Sequence, residues 1–554
     1  MLRVNDQTAP GVPSLGGIIG VAASPLTATI GLGRGMLRTW RPHRLTYPIA
    51  PLTAGDPEIG RAIYRNSFPF GGVRIVAGTQ SIFAVPAPNR AWLAALHGFA
   101  FLEHLAAAKY EMHRAFARRL VTDWHDRLHL HPATAREFAV RAHRLIALLR
   151  HGQFLLTGAG ESFAEIYFRI VARETQSLEA GSRELYPAIA VAYAAASCDA
   201  PRPFRVNALE RLDEALSEHI LPDGGHASRN PSVLLDLLLL LLPLRAALAH
   251  ARDHLPQRLN AHIERMLLML RFFAFGDDGL ASFQGVCSLR STAVRAALGA
   301  DTTLGRPLSV AAYSGYARLT GAAATVLADF GPDAACASPL AFEFADGPQR
   351  IVVNCGALTD CSSSWAAATR ACPAHSTAII ETSETIGFLR RMLGGRKAQR
   401  SERGARMEQG EAGGVLSAFA RNGETGHERC MFLSRDGADL RGEDRLYHRR
   451  AGTAAADFTL RFHIHPSVRA IASKDGSRIL LMLPNRHAWR FAVKGGRVSL
   501  AESVYCAGET SPRRTAQIVV TGTLDGEAKV NWAFRRTDKR GKVTISADRP
   551  QLLL

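Results

Sequence analysis

Leu221-Pro222-Asp223-Gly224-Gly225-His226-Ala227-Ser228-Arg229-Asn230-Pro231-Ser232 runs without a break into the apolar stretch Val233–Leu244. A helix this rich in leucine must be buried, so the polar groups before it are held beside a rigid core. Asp223-Gly224-Gly225 reads as a turn, because glycine tolerates backbone angles that other residues avoid. Ser228 or Asn230 is placed to cap the helix, and Pro231 suits its first turn. His226 and Arg229 are not needed for capping, which makes them the candidates for chemistry.

On either side of this loop the pattern is helical, from Trp92 to about Phe275. Apolar residues recur at three- and four-residue steps over Ala135–Leu149, Phe163–Glu179, Leu185–Ser197, Ala208–Ile220, Pro231–Ala249 and Leu259–Phe273. Short turns such as Gly158–Gly160 and Asp199–Pro203 join them. Successive helical hairpins with buried apolar faces curl into a bundle, solenoid or toroid. After Gly276-Asp277-Asp278-Gly279 the period changes to that of strands: Thr325–Asp329, Leu340–Ala345, Arg350–Asn354, Phe458–His465, Arg478–Leu483 and Thr515–Gly522. Their turn spacing is that of an antiparallel sandwich. Helices first and strands after predict an α+β chain with segregated domains. The expected division is an extension over 1–85, a helical domain over 86–300 and a β domain over 301–554.

With 554 residues, 47% hydrophobic and 21% charged, the chain has ample material for full-sized cores. Its formal charge of +18 implies an anionic partner, although a GC-rich genome would supply the same excess of arginine. Basic clusters lie at Arg390–Arg406, Arg441–Arg450 and Arg535–Lys542, the first among glycines and so read as a loop. No recognition helix, zinc finger or RNA-binding motif accompanies them, so no nucleic acid is expected. Eight cysteines without a CxxC pair argue against zinc fingers and a disulfide framework. GxGxxG, P-loop and GxSxG elements are missing, which removes support for nucleotide and serine-hydrolase chemistry. Val233–Leu244 is short for a bilayer span, contains Asp236 and is bounded by Arg229 and Arg245, so no integral membrane segment is expected. Gly16–Ile30 is apolar but interrupted, and no basic region precedes it closely enough for a secretory leader.

The β half carries Ser314-Gly-Tyr-Ala-Arg-Leu319, Leu340-Ala-Phe-Glu-Phe344, Ile351-Val-Val-Asn-Cys-Gly356 and Arg370-Ala-Cys-Pro-Ala-His-Ser-Thr377. Arg461-Phe-His-Ile-His-Pro466, Trp489-Arg-Phe491 and Glu502-Ser-Val-Tyr505 follow. In this order, behind the Leu221–Pro231 loop, they resemble the heparinase II/III-like proteins over roughly residues 75 to 540. The resemblance implies an N-terminal (α/α) toroid of helical hairpins on a C-terminal antiparallel β-sandwich, with the site in the groove between them. It also implies lyase chemistry on an acidic, uronate-containing polysaccharide, and a periplasmic or cell-envelope location; the lack of a visible leader points instead to the cytoplasm.

Lysis by β-elimination removes the C5 proton of a uronate and expels the oxygen on C4. The carboxylate must be neutralised, or the carbanion sets a second negative charge beside it. Arg229 and Asn230 are of the right type for that. Proton transfer suits histidine or tyrosine, and His226, His375 and one of Tyr313 or Tyr316 are the candidates. Each has a plainer reading: His375 fastening a turn through Ser376 and Thr377, Tyr316 filling the seam between domains, His463 and His465 as a hydrogen-bonded pair. Cys336 reads as a packed thiol.

The chain also departs from the pattern it resembles. Characterised lyases of this type commonly carry a Tyr-His pair where Val233-Leu234 stands here. A histidine before the Phe-Glu strand is replaced by Cys336-Ala337-Ser338, and Ser338, Asn354 and His375 make a poor zinc site. No metal and no cofactor are expected. The leading expectation is a polysaccharide lyase; the rival is a non-catalytic glycan-binding or envelope-assembly protein that kept the groove. With no identifiable carboxylate pair, a hydrolase is a distant third.

Overall fold

The computed structural model describes residues 40–181, 184–250, 257–301, 305–358, 363–381, 402–474, 476–508 and 512–537. The apolar run Gly16–Ile30, the basic residues 390–401 and 538–542, and Cys361 lie outside these ranges.

Seven long helices form the first half: α1 (Glu111–Asp126), α2 (Phe138–Arg150), α3 (Glu161–Gly181), α4 (Leu185–Ser197), α5 (Arg202–His219), α6 (Pro231–His250) and α7 (Gln257–Phe273). α2 and α3 run antiparallel. Arg144 meets Glu174, and the Tyr167 hydroxyl donates to the Leu148 carbonyl at 3.1 Å. α4 and α6 run parallel: Tyr186 faces Asp236 near their starts, and further along the Tyr193 hydroxyl donates to the Leu240 carbonyl at 2.6 Å. Up-down alternation therefore brings the α1–α2, α3–α4 and α5–α6 connections, and the exit of α7, to one rim of an (α/α) toroid. By composition α6 is long and apolar enough to cross a membrane, yet its leucines are buried on all sides among the other helices.

The second half is an antiparallel sandwich. One sheet runs in the order Arg497–Tyr505, Arg513–Leu524, Ala456–Ile464, Gln349–Val353, Phe342–Asp346, Ala324–Asp329, Tyr316–Thr320 and Val310–Ala311, with Ala378–Ile380 added beside Ala456–Ile464. The other runs from Arg469–Ala472 at one edge to Glu402–Gln409 at the opposite edge. Phe342 from the first sheet stacks on Trp532 from the second at 5.4 Å, and Phe462 closes on the same indole edge-on at 5.2 Å.

Arg403 and Arg406 are not loop residues. They stand in the edge strand Glu402–Gln409, and Arg403 pairs with Asp333 at 2.7 Å. Only Ala405 and Met407 of this strand pack on the sandwich core, and the charged residues around them hide it from a hydrophobicity reading.

The two halves share one core. Tyr316, Leu327, Ala341 and Ala345 of the first sheet belong to the same buried cluster as the helices. The Tyr316 ring meets Phe273 edge-on at 4.9 Å and Phe283 at 5.4 Å. Burial of each such aromatic is worth roughly 1.5–3 kcal/mol, so the seam is a packed interior and not a hinge lined by water.

Candidate functional site

The loop from α5 to α6 is shaped by close approach on both sides. Ile220 and His226 pair as a short antiparallel bridge. Gly224 has φ +90°, and a Cβ there would overlap the Arg265 carbonyl; one at Gly225 would overlap the Ser314 hydroxyl. Asp223 accepts the Ser314 N–H at 2.6 Å, the Ser314 hydroxyl at 2.7 Å and the Gly225 N–H at 3.1 Å. One carboxylate thus shapes its own turn and fastens the helical half to the β half. Asn230 caps α6: its Oδ1 accepts the Ser232 N–H at 2.8 Å, while its Nδ2 donates to the Gln284 carbonyl at 3.0 Å. One amide N–H of Asn230 stays available.

Arg229 turns inward. It has φ +60°, the left-handed region, and is only 5% exposed. Its Nε donates to the Ser314 carbonyl at 2.7 Å, its Nη1 to the Pro332 carbonyl, and its Nη2 pairs with Asp329. The guanidinium also lies 4.7 Å from the centre of the Tyr316 ring. Asp329 is held from its other side by Gln284 Nε2 at 2.8 Å, and Gln284 Oε1 accepts the Ala335 and Cys336 N–H groups at 3.0 Å. Every hydrogen-bonding edge of the guanidinium is used inside the protein.

Tyr316 is likewise committed. Its hydroxyl donates to the Arg229 carbonyl at 2.8 Å, and complete burial pushes its pKa well above the ordinary value, the Arg229 charge opposing this incompletely. A phenolate base is not available there. Tyr313, three residues earlier, stands 65% exposed.

His226 is half-buried on the rim. Its Nδ1 accepts the Ser228 N–H at 3.0 Å, which fixes the ring proton on Nε2. Burial first, then the near-parallel His219 ring 6.1 Å away, lower its pKa to about 4. At neutral pH it is an uncharged imidazole whose acceptor nitrogen is occupied and whose outward nitrogen carries a hydrogen. That makes it a hydrogen-bond donor to a ligand and a poor base.

His375 is 2% exposed, with neither ring nitrogen in a hydrogen bond of good geometry. Burial, then the neighbouring His463, press its pKa to about 3. The fastening role belongs to Ser376, whose N–H donates to Asn354 Oδ1 at 3.0 Å and whose hydroxyl donates to the Val353 carbonyl at 2.7 Å. His463 and His465 do not bond each other: each Nδ1 meets a serine hydroxyl, Ser503 at 2.7 Å and Ser467 at 2.8 Å. Burial raises the Cys336 thiol to about 12, so it is no nucleophile at neutral pH.

Of the six candidates, the fold brings His226, Arg229, Asn230 and Tyr316 to one seam, with Tyr313 at the surface nearby in sequence and His375 in a separate buried group. Sequence reasoning missed Asp223, Gln284 and Asp329 as the groups that organise the seam. Asp223 looked like turn chemistry alone, and Gln284 and Asp329 carry no local signal.

A toroid of helical hairpins packed on an antiparallel sandwich is the architecture of polysaccharide lyases. Residues 303–533 match the family described as Heparinase II/III-like, C-terminal, so the β half is a heparinase II/III-like domain and the resemblance read from its motifs holds. Among solved structures, heparinase III covers 92% of this chain and 89% of its own, with TM-score 0.69 and 12% identity. A heparan sulfate lyase from Pedobacter heparinus covers 92% and 88%, with TM-score 0.58 and 13% identity. Identities this low establish the shared fold alone. In sequence, the chain is similar to FtsZ-localized protein C of Caulobacter vibrioides, 28% identical over an alignment of 522 positions that covers 87% of this chain and 88% of that protein.

Proposed function

We propose that this chain is a lyase-fold protein that binds an acidic glycan without cleaving it and works in association with FtsZ. The observation that carries the first part is the commitment of Arg229 and Tyr316 to the seam. β-Elimination needs a cation or strong donor on the uronate carboxylate and a base on C5, and the most suitable cation and phenol are both spent inside the protein. What the rim retains is the Nε2–H of His226 and the second amide N–H of Asn230, two donors suited to holding a carboxylate. The formal charge of +18 favours an acidic polymer as the ligand. The second part rests on the similarity to FtsZ-localized protein C along nearly the whole of both chains. Such an association sets at least part of the chain on the same side of the membrane as FtsZ.

The test has two arms. Absorbance near 232 nm, where an unsaturated uronate absorbs, stays flat on a panel of acidic glycans, while binding to one of them is measurable and falls with added salt. The protein also sediments with FtsZ polymers and not with buffer alone. A steady rise at 232 nm would overturn the non-cleaving reading, and failure to co-sediment would overturn the FtsZ association.

The likeness to heparinase III favours a second reading, cleavage of an acidic glycan by β-elimination, with His226 and Asn230 at the reacting sugar. Under it, wild type gives the rise at 232 nm and His226→Ala abolishes it.

A further inference from the structure

The rim that carries the Leu221–Asn230 loop holds a second polar cluster, built between α2 and α3. The Glu174 side chain is fully buried and receives four guanidinium N–H bonds. Arg141 Nε at 2.9 Å and Arg144 Nη2 at 3.0 Å reach one oxygen; Arg173 Nε at 3.2 Å and Nη2 at 3.0 Å reach the other. Three arginines on one carboxylate leave an excess of two positive charges. His97 and His131 beside them do not add to it, because burial lowers their pKa values to about 3 and about 4. Nor is the excess balanced by neighbouring carboxylates: Glu137 is taken by Arg90 at 2.5 Å, and Glu165 faces Arg169 at 3.9 Å.

The cluster is also rigid. Arg144 is 1% exposed, its Nη1 bound to the His97 carbonyl at 2.7 Å and its Nη2 to the Ala135 carbonyl at 2.9 Å. Trp124 backs it, its ring 4.4 Å from the Arg144 guanidinium and 5.2 Å from that of Arg173. Yet donors are left over. Among the described residues, the buried Nε of Arg144 has no partner. Arg141 and Arg173, 20% and 34% exposed, bond through two of their three nitrogens each, which leaves Nη2 of the first and Nη1 of the second without a partner among the described residues. Burial, with the two neighbouring arginines adding to it, holds Arg144 down at about 10 despite Glu174, as expected where charge is under-compensated.

We propose that this cluster is an oxyanion site, in which a sulfate, phosphate or carboxylate group bridges Arg141 and Arg173. Two guanidiniums anchored on opposite oxygens of one carboxylate stand close enough to share a single tetrahedral or planar anion, and arginine's fork geometry suits it. The position on the rim favours a charged substituent of an acidic glycan over a free inorganic ion. That choice of source rests on the glycan-binding reading above; the oxyanion site itself does not.

The experiment is calorimetric titration of the full chain at constant ionic strength with inorganic sulfate, inorganic phosphate and a sulfated heparan-type hexasaccharide. Wild type is compared with Arg141→Gln, Arg173→Gln, Arg141→Lys and Asn230→Ala, each checked for native circular dichroism. Saturable binding of at least one anion is expected, weakened about tenfold in each glutamine variant and less in the lysine variant. Should a glutamine variant lose its fold, the lysine variant, which keeps the charge and loses the fork, still reports the site. A hexasaccharide that binds far more tightly than sulfate identifies the glycan as the source; equal affinities identify a free oxyanion. No saturable binding by any of the three overturns the site, as does binding that none of the arginine variants alters. Hexasaccharide binding lost in Asn230→Ala but untouched in the arginine variants overturns the site and leaves the glycan-binding reading standing.

Discussion

At the scale of the residue, the seam turns on one buried pair, the Arg229 guanidinium on the Asp329 carboxylate. Asn230 and Pro231 do what helix capping asks of them, because a cap is decided within three residues. The fate of Arg229 depends on Asp329, one hundred residues further on, and no spacing rule reaches that far. His375 illustrates the same limit: its motif is visible in sequence, but its burial is set by strands that the chain adds later. The Arg229–Asp329 pair gives a direct test. Arg229→Ala leaves a carboxylate buried without its cation, and a loss of about 3–5 kcal/mol in urea unfolding is expected. Adding Asp329→Asn removes the stranded charge and should recover a measurable part of it. A loss below about 1 kcal/mol, the value of an exposed pair, would mean that the seam admits water.

At the scale of the element, helices were legible because their apolar period is strong. α4 occupies the span its periodicity predicts, and α3, α6 and α7 run one or two residues longer at one or both ends. α5 starts six residues earlier and ends one sooner, and α2 starts three residues later and ends one later. The edge strand Glu402–Gln409 was not legible, since most of its side chains are charged or polar and only Ala405 and Met407 pack on the core. α6 shows how an element tolerates a flaw. Pro243 sits inside it, lacks an N–H and crowds the turn before it. The Leu240 carbonyl in that turn is taken by the Tyr193 hydroxyl. Tyr193→Phe removes this partner in a dry core, and a loss of about 1–3 kcal/mol is expected in thermal or urea unfolding. An unchanged stability would mean the carbonyl finds another donor.

At the scale of the whole molecule, the order of helices then strands gave the architecture, because segregated periods permit few arrangements. What that order does not contain is the continuity of the core across the seam. Asp223, through Ser314, is one polar link between the halves. Asp223→Ala should loosen the halves before either unfolds, seen as faster amide exchange at Ser314–Tyr316 with the helical core still protected. Exchange that rises everywhere together would place the link's role in global stability instead.

Acid should also act on the molecule as a whole. Burial holds His97, His151 and His375 neutral down to about pH 3, whereas the unfolded chain protonates them near 6.5. Between those limits the unfolded state binds more protons, so stability falls as pH falls, by about 1.4 kcal/mol per unit for each fully shifted histidine. Asp444 and Glu174, held below the ordinary carboxylate range by their arginines against the cost of burial, contribute stability above that range and lose it on further acidification. Both effects have the same sign. Melting temperatures flat from pH 7 to pH 4 would contradict the burial of these rings.

The alternation of the toroid helices has a practical corollary. Everything implicated in binding lies at one rim, and the Gly158–Gly160 turn between α2 and α3 lies at the other. A side chain built at Gly158 or Gly160 would meet nothing within 4 Å. A fluorescent reporter spliced into that turn would leave the working face bare, so the protein can be followed in a living cell by an internal label while both termini stay native. The same openness makes this turn a place where a lineage is free to acquire extra sequence without renegotiating its ligands.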